Sequence, residues 1–321
     1  MRRRAASRVL EAVFYTASTL GKTHPGRRLA AVERISDLAY ETGGGYERTL
    51  DVYRPRDRSG VLPAVVYIHG GAFRVLSKDS HWLMGTQFAS AGCVCFNINY
   101  RLAPANPYPA ALEDVARALQ WIVEHAALYD ADPEQLVVAG ESAGANLSLA
   151  YTAGACLPSQ EPIADRIKSL GIVPKVIMPN CGILEATRPE RFENDPRVRS
   201  WWVMDRIRTV SKSYTPGWKS GDPAVGLADP LVMMESDLEF EREWPATFIG
   251  CGDADPIADD SERLARALEQ RGVDVALRWY AEQPHAFQMM VWRDEAKAFW
   301  KDSFDFLKAR LEHEVGYGAV A

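Results

Sequence analysis

Apolar and polar positions fall into blocks along the chain, and the period of the blocks switches in a regular order. "RTLDVYR" (48–54) alternates with period two, as a half-buried strand does. "AVVYIHG" (64–70) is a continuous apolar run closed by glycine, the pattern of a strand covered on both faces. "HWLMGTQFASAG" (81–92) predicts a helix ended by Gly92, and "CVCFNINY" (93–100) predicts a second buried strand. "AALEDVARALQWIVEHAAL" (110–128) carries a clear 3.6-residue apolar period, so it predicts a helix. "EQLVVAG" (134–140) predicts a strand, and 143–156 a helix rich in alanine and leucine. Further strands are expected over 173–179, 245–252 and 273–280, with helices over 259–271 and 291–313. Strands alternating with helices in this way predict an α/β fold with a mainly parallel central sheet flanked by helices on both faces.

Two regions break the alternation, 1–45 and roughly 181–243. In the second, "RFENDPRVRSWWVMDRIRTVSKSYTPGWKSGDP" mixes charge, tryptophan and proline. Both are expected to lie over the sheet as covering elements, because no repeat or low-complexity linker separates two folding units. At the N-terminus, "MRRRAASRVLEAVFYTASTLG" resembles a secretory leader in its basic start. Glu11 interrupts its apolar part, however, while Val9, Leu10, Val13, Phe14 and Ala17 recur at helical spacing. An amphipathic helix packed on the domain is therefore expected, not a signal segment or a stable membrane insertion.

Composition narrows the classes. The 321 residues are 47% hydrophobic and 25% charged with a formal net charge of -6, which suits one folded, soluble α/β domain. Mild acidity argues against a nucleic-acid partner, which calls for a basic face. Five cysteines, Cys93, Cys95, Cys156, Cys181 and Cys251, include no CxxC pair. They are expected to be buried free thiols in a reducing, cytoplasmic setting. The six histidines show no metal-binding spacing, so no metal and no cofactor are expected.

The chemistry gathers at Gly140-Glu141-Ser142-Ala143-Gly144, where a strand turns sharply into a helix. Glycines on both sides let the turn close, lifting the serine hydroxyl clear of the sheet edge. A helix-capping serine would also suit the position, but it would not need the flanking glycines. Serine is a poor nucleophile at neutral pH, so it needs a base, and the base an orienting acid. In a strand–turn–helix setting of this kind both follow the serine in the chain. The downstream histidines are His285, in the loop "AEQPHAF" after a strand, and His313, in the polar "LKARLEHEV". His285 is the expected base. For the acid, Asp255 and Asp253 both remain, since Asp259 with Glu262 reads as a capping box opening a helix. Asp255 precedes Pro256, which favours an extended backbone able to aim its carboxylate across the sheet edge. "HGGAF" (69–73) follows a strand where donors for an oxyanion belong, and the Ala143 N–H is a further donor.

Taken together, "HGGAF", "YRLAPANPYPAALEDV", "GESAG", "DADPIADD" and "PHAF" resemble the hormone-sensitive-lipase-like (bacterial family IV) branch of the α/β-hydrolase fold esterases over about residues 48–310. The resemblance implies a triad of Ser142, Asp255 and His285. It also implies an oxyanion hole from Gly71, Ala72 and Ala143 N–H groups, with Gly70 shaping the loop. Regions 1–45 and about 181–220 would form the family's cap, with Trp201, Trp202, Tyr214 and Trp218 lining a pocket or packing the core. Ala72 stands where the family's third loop glycine stands, Ala105 where its usual glutamate stands, and Ala286 where "HGF" is more usual. The implied activity is hydrolysis of small to medium acyl esters through an acyl-enzyme, on a small-molecule substrate. Amide, carbamate or lactone hydrolysis by the same triad is the alternative, and a silent ligand-binding homologue a third. Homodimerisation is left open.

Overall fold

The computed structural model describes residues 31–57, 60–218, 226–312 and 315. Among the described residues eight strands join one sheet: β1 (Val32–Ala39), β2 (Thr49–Pro55), β3 (Leu62–Ile68), β4 (Val94–Ile98), β5 (Ala131–Glu141), β6 (Val176–Asn180), β7 (Ala246–Gly252) and β8 (Val275–Tyr280). Their spatial order is β1-β2-β4-β3-β5-β6-β7-β8. β1 and β2 pair antiparallel, β2 runs antiparallel to β4, and all other neighbours are parallel.

The helices among the described residues are α1 (Trp82–Ser90), α2 (Ala110–His125), α3 (Ala143–Cys156), α4 (Pro162–Leu170), α5 (Trp201–Tyr214), α6 (Pro230–Met234), α7 (Ala258–Gln270) and α8 (Asp294–Lys308). They cover both faces, which explains the continuous apolar runs of the central strands. Ala64, Val66 and Ile68 of β3 pack with Leu112, Leu147 and Leu264 from α2, α3 and α7. Val65 and Tyr67 point the other way, into a core with Phe88 of α1 and Phe299, Trp300 and Phe304 of α8. The period-two geometry of a strand divides one apolar run between two cores.

The expected covering element at 1–45 needs correction. Residues 1–30, with the expected N-terminal helix, lie outside the described residues, and residues 32–39 form the sheet's edge strand β1. A β-bulge between Ile35 and Leu38, with Asp37 at φ 59°, breaks the alternation that would have announced that strand. The edge is tied down by charge. Lys78, fully buried, reaches Asp51 at 2.9 Å and Asp37 at 2.6 Å, and Arg34 reaches Asp51 at 2.6 Å. All five cysteines are buried, and no disulfide joins them. Among the described residues, no helix is long and apolar enough to cross a membrane.

Candidate active site

Because β3, β5, β6, β7 and β8 run parallel, their C-terminal ends reach one edge of the sheet together. The register aligns Ile68 with Gly140, Gly140 with Pro179, and Gly252 with Tyr280. The segments that follow carry residues 69–74, Ser142, Cys181, Asp255 and His285. The chain crosses from β4, on one side of β3, to β5 on the other, so this edge is also a topological switch point, where open α/β sheets bind ligands.

Ser142 sits at φ 55°, ψ -115°, between the end of β5 and the start of α3. A non-glycine backbone held there costs about 1–3 kcal/mol and persists only when its surroundings enforce it. They do so through hydrogen bonds: Ser142 N donates to the Asn180 carbonyl (3.1 Å), and the Ser142 carbonyl accepts from Asn146 N (3.2 Å). The side chain makes no capping bond to the helix, so the capping alternative fails. Among the described residues no hydrogen bond joins its hydroxyl to His285, whose ring bonds elsewhere. Such nucleophile–base contacts are often looser without substrate.

The flanking glycines answer to close packing. A Cβ on Gly144 would lie 2.0 Å from the Ile68 carbonyl oxygen, and one on Gly140 would lie 2.5 Å from the Gly144 oxygen. The turn is thus pressed against the end of β3. Gly144→Ala is expected to shift Ser142 and cut kcat/KM for an ester by at least about 100-fold, since misplacement by an ångström costs that much. Overpacking is expected to destabilise the fold by on the order of 3 kcal/mol in urea titration.

Asp255 lies in the turn after β7 and is fully buried. Its Oδ1 accepts from Ile257 N (2.9 Å), and its Oδ2 lies 2.7 Å from His285 Nδ1. Of the two candidate acids, Asp255 is the one within hydrogen-bonding distance of His285. Asp253 is exposed and accepts from Glu282 N at 2.6 Å instead. The capping box at Asp259 and Glu262 does not form: the residue before α7 is Ile257, and no side chain caps the helix. Asp260, fully buried, does the anchoring there, accepting from Leu184 N (2.7 Å) and from Arg191 (2.7 Å). His313 lies outside the described residues.

The His285 side chain is 34% exposed and open to an approaching molecule. Burial of its remainder opposes a charge on the ring, but the Asp255 carboxylate, its hydrogen bond and Glu141 outweigh that. The net result raises the pKa above its usual 6.5. Asp255 thus favours the imidazolium form that a proton-accepting ring must reach.

Glu141, the residue before the serine, went unassigned in the sequence and emerges as a buried support. Its carboxylate accepts from the Tyr67 hydroxyl and from Gly70 N. It also pairs with His81 Nε2 at 2.7 Å. Burial disfavours both charges, yet His81 holds the Glu141 pKa down and Glu141 holds the His81 pKa up. His69 stacks between Tyr100 and His81, and burial beside His81 lowers its pKa to about 3. It bonds the Gly70 carbonyl through Nδ1 at 2.6 Å, so it fixes the loop as a neutral ring. Its sign in the sequence was a glutamate directly after the apolar run Leu136–Gly140.

Of the expected oxyanion residues, Gly70 is set apart because its N–H is already committed to Glu141. A Cβ on it would lie 3.2 Å from Ser142 Cβ, so the loop runs beside the serine. The bonds closing the loop run from Arg74 N and Val75 N to the Gly71 carbonyl and leave the Gly71 and Ala72 amides out. Ala143, first residue of α3, has no carbonyl one turn earlier to receive its N–H. Ala72 (φ 58°), Phe73 (φ 59°) and Ala286 (φ 56°) all hold left-handed backbone, so alanine keeps the conformation that glycine favours. Cys181 (φ 41°) does likewise.

The C-terminal end of α5 packs on this loop. Tyr214, closing α5, stacks on Phe73 with ring centroids 3.7 Å apart, and Tyr108 and Trp218 complete an aromatic cluster. Trp201 and Trp202 do not pack in the core. At 81% and 59% exposed they stand in solvent at the start of α5. Cys181 is buried behind the site, its thiol pushed up in pKa by burial and by Asp255.

The family described as alpha/beta hydrolase fold matches residues 65–289 of the chain. The chain is similar to the carboxylesterase NlhH of Mycobacterium tuberculosis, at 31% identity over 240 residues, 73% of this chain and 70% of that protein. It is similar to the ethyl acetate hydrolase of Pseudomonas putida, at 30% identity over 262 residues, 80% of this chain and 76% of that one. It also shares its fold with an esterase from the bacterial hormone-sensitive lipase family, with a TM-score of 0.70 at 21% identity, covering 94% of this chain and 90% of that one.

Proposed function

The chain belongs to the alpha/beta hydrolase fold family, and on that premise we propose that it is a carboxylesterase working through an acyl-enzyme on Ser142. The Ser142 hydroxyl attacks the ester carbonyl carbon while His285 Nε2 takes its proton. Asp255, on Nδ1, holds the ring in orientation and stabilises the imidazolium. The Gly71, Ala72 and Ala143 amides donate to the tetrahedral oxyanion, helped by the positive end of α3. His285 then returns the proton to the departing alkoxide. Water, activated by the same ring, attacks the acyl-serine, and the carboxylic acid leaves.

The observation that carries this reading is the 2.7 Å contact between His285 Nδ1 and a fully buried Asp255, at the sheet edge that also holds the strained serine turn. Small and medium acyl esters are the proposed substrates, in keeping with relatives named as a carboxylesterase and an ethyl acetate hydrolase. The described part of the region about 181–220 is proposed as the cap over that edge, seated through Tyr214 on Phe73. A fluorophosphonate probe is expected to attach once per chain, at Ser142, and to abolish p-nitrophenyl butyrate hydrolysis in step with labelling. A protein that takes no label and turns over no ester would be a binding homologue. One that takes the label but prefers amides, carbamates or lactones would keep the mechanism and change the bond.

A further inference from the structure

We propose that Cys181, Asp255 and His285 form an inhibitory site for a soft divalent cation of the zinc or cadmium type. One donor atom from each, a thiol sulfur, a carboxylate oxygen and a ring nitrogen, lies within 4.8 Å of the other two. Residues 181, 255 and 285 follow three different strands, so no spacing along the sequence announces them. In a tetrahedral zinc site with bonds of 2.0–2.3 Å, ligand atoms stand roughly 3.3–3.8 Å apart. About an ångström of closure would therefore bring the three into coordination.

The donor set matches the ion. Sulfur, nitrogen and one oxygen are the zinc ligands of protein sites, and three of them leave a fourth position open. One thiolate and one carboxylate neutralise a divalent charge around a neutral imidazole. The path in runs past His285, whose side chain is 34% exposed. A second feature points to the same spot. Gln288, almost completely buried, places Nε2 3.7 Å from Cys181 Sγ, while its Oε1 has no hydrogen-bond partner among the described residues. Buried amide oxygens normally have partners. Turning that amide over would present an oxygen to an ion held by Cys181.

Binding displaces the Cys181 thiol proton to solvent and, where the ion takes Nδ1, the ring proton shared with Asp255 as well. It occupies a lone pair that the proposed mechanism needs on His285 or its hold on Asp255, so it stops hydrolysis. The binding rests on geometry alone; the inhibition rests also on the esterase reading.

The test uses the full chain, freed of metal by chelation. Cobalt(II) is expected to give a thiolate-to-metal charge-transfer band in the native protein that is missing in Cys181→Ala. Zinc is expected to inhibit ester hydrolysis with a half-maximal concentration at least about tenfold higher in Cys181→Ala and in Cys181→Ser, each normalised to its own metal-free rate. The serine variant covers the case in which the alanine variant folds poorly. No cobalt band in the native protein, or equal zinc sensitivity in all three, would overturn the proposal. Loss of the band in Cys251→Ala alone would overturn it too, because the Cys251 sulfur lies 3.9 Å from Asp255 Oδ2 and is the rival thiol. A band without any ester turnover would leave the metal site standing and remove the esterase reading.

Discussion

Ser142→Ala is expected to lower kcat/KM for p-nitrophenyl butyrate by about 10⁵–10⁶-fold, some 7–8 kcal/mol of transition-state stabilisation. What remains would come from the oxyanion amides and from binding, which alone still accelerate acyl transfer over water. The fold should survive, because the hydroxyl caps no helix amide and the turn is held by backbone bonds to Asn180 and Asn146. Ser142→Gly separates chemistry from strain. It should be equally inactive, yet it accepts φ 55° without penalty, so it should melt about 2 °C higher for each kcal/mol of strain relieved. Retention of more than a tenth of the native rate in either variant, with no contaminating hydrolase, would remove Ser142 from the mechanism.

Asp255→Asn is expected to reduce kcat by about 10⁴-fold, the cost of losing the charge that orients the base and stabilises its protonated form. The sign of the pH effect follows from the same contact. His285 works as a base only when neutral, and its pKa is raised, so native kcat/KM should fall on the acid side with a midpoint above 6.5. Removing the Asp255 charge leaves burial opposed mainly by Glu141. The acid limb should then move to lower pH even as the plateau drops. A variant that had merely unfolded would lose rate without moving the limb. If Asp253→Asn carried the large loss and Asp255→Asn did not, the acid role would pass to Asp253.

The parts of the molecule that were legible in advance are those whose pattern has a single cause. α3 begins and ends where the alanine-rich run does, at Ala143 and Cys156, and β3, β4 and β7 lie within two residues of their apolar runs. Burial on two faces leaves an unbroken signature, and a turn bounded by Gly140 and Gly144 leaves another. The misreadings have particular causes. β1 hid because its bulge changes which residues face inward. α4 and α6 went unannounced, short helices opened by Pro162 and Pro230 within irregular sequence. Trp201 and Trp202 were misread because size was taken to mean burial, whereas they stand at an exposed helix start. Glu141 and the Cys181–Asp255–His285 grouping were beyond any local pattern, since both are products of strand register. Its place before Pro256 favours Asp255 over Asp253, and it is Asp255 whose carboxylate stands 2.7 Å from His285 Nδ1.

Five side-chain-bearing residues in and beside the site, at 72, 73, 142, 181 and 286, hold torsions that their own chemistry resists. Each such torsion costs on the order of 1 kcal/mol. Their sum rivals a sizeable part of the 5–15 kcal/mol by which a whole domain is folded. The reactive end is therefore the least contented portion of the molecule, kept in shape by the stiffness of the layers beneath. Warming should loosen that rim while the strands below stay intact, so function is surrendered well before architecture.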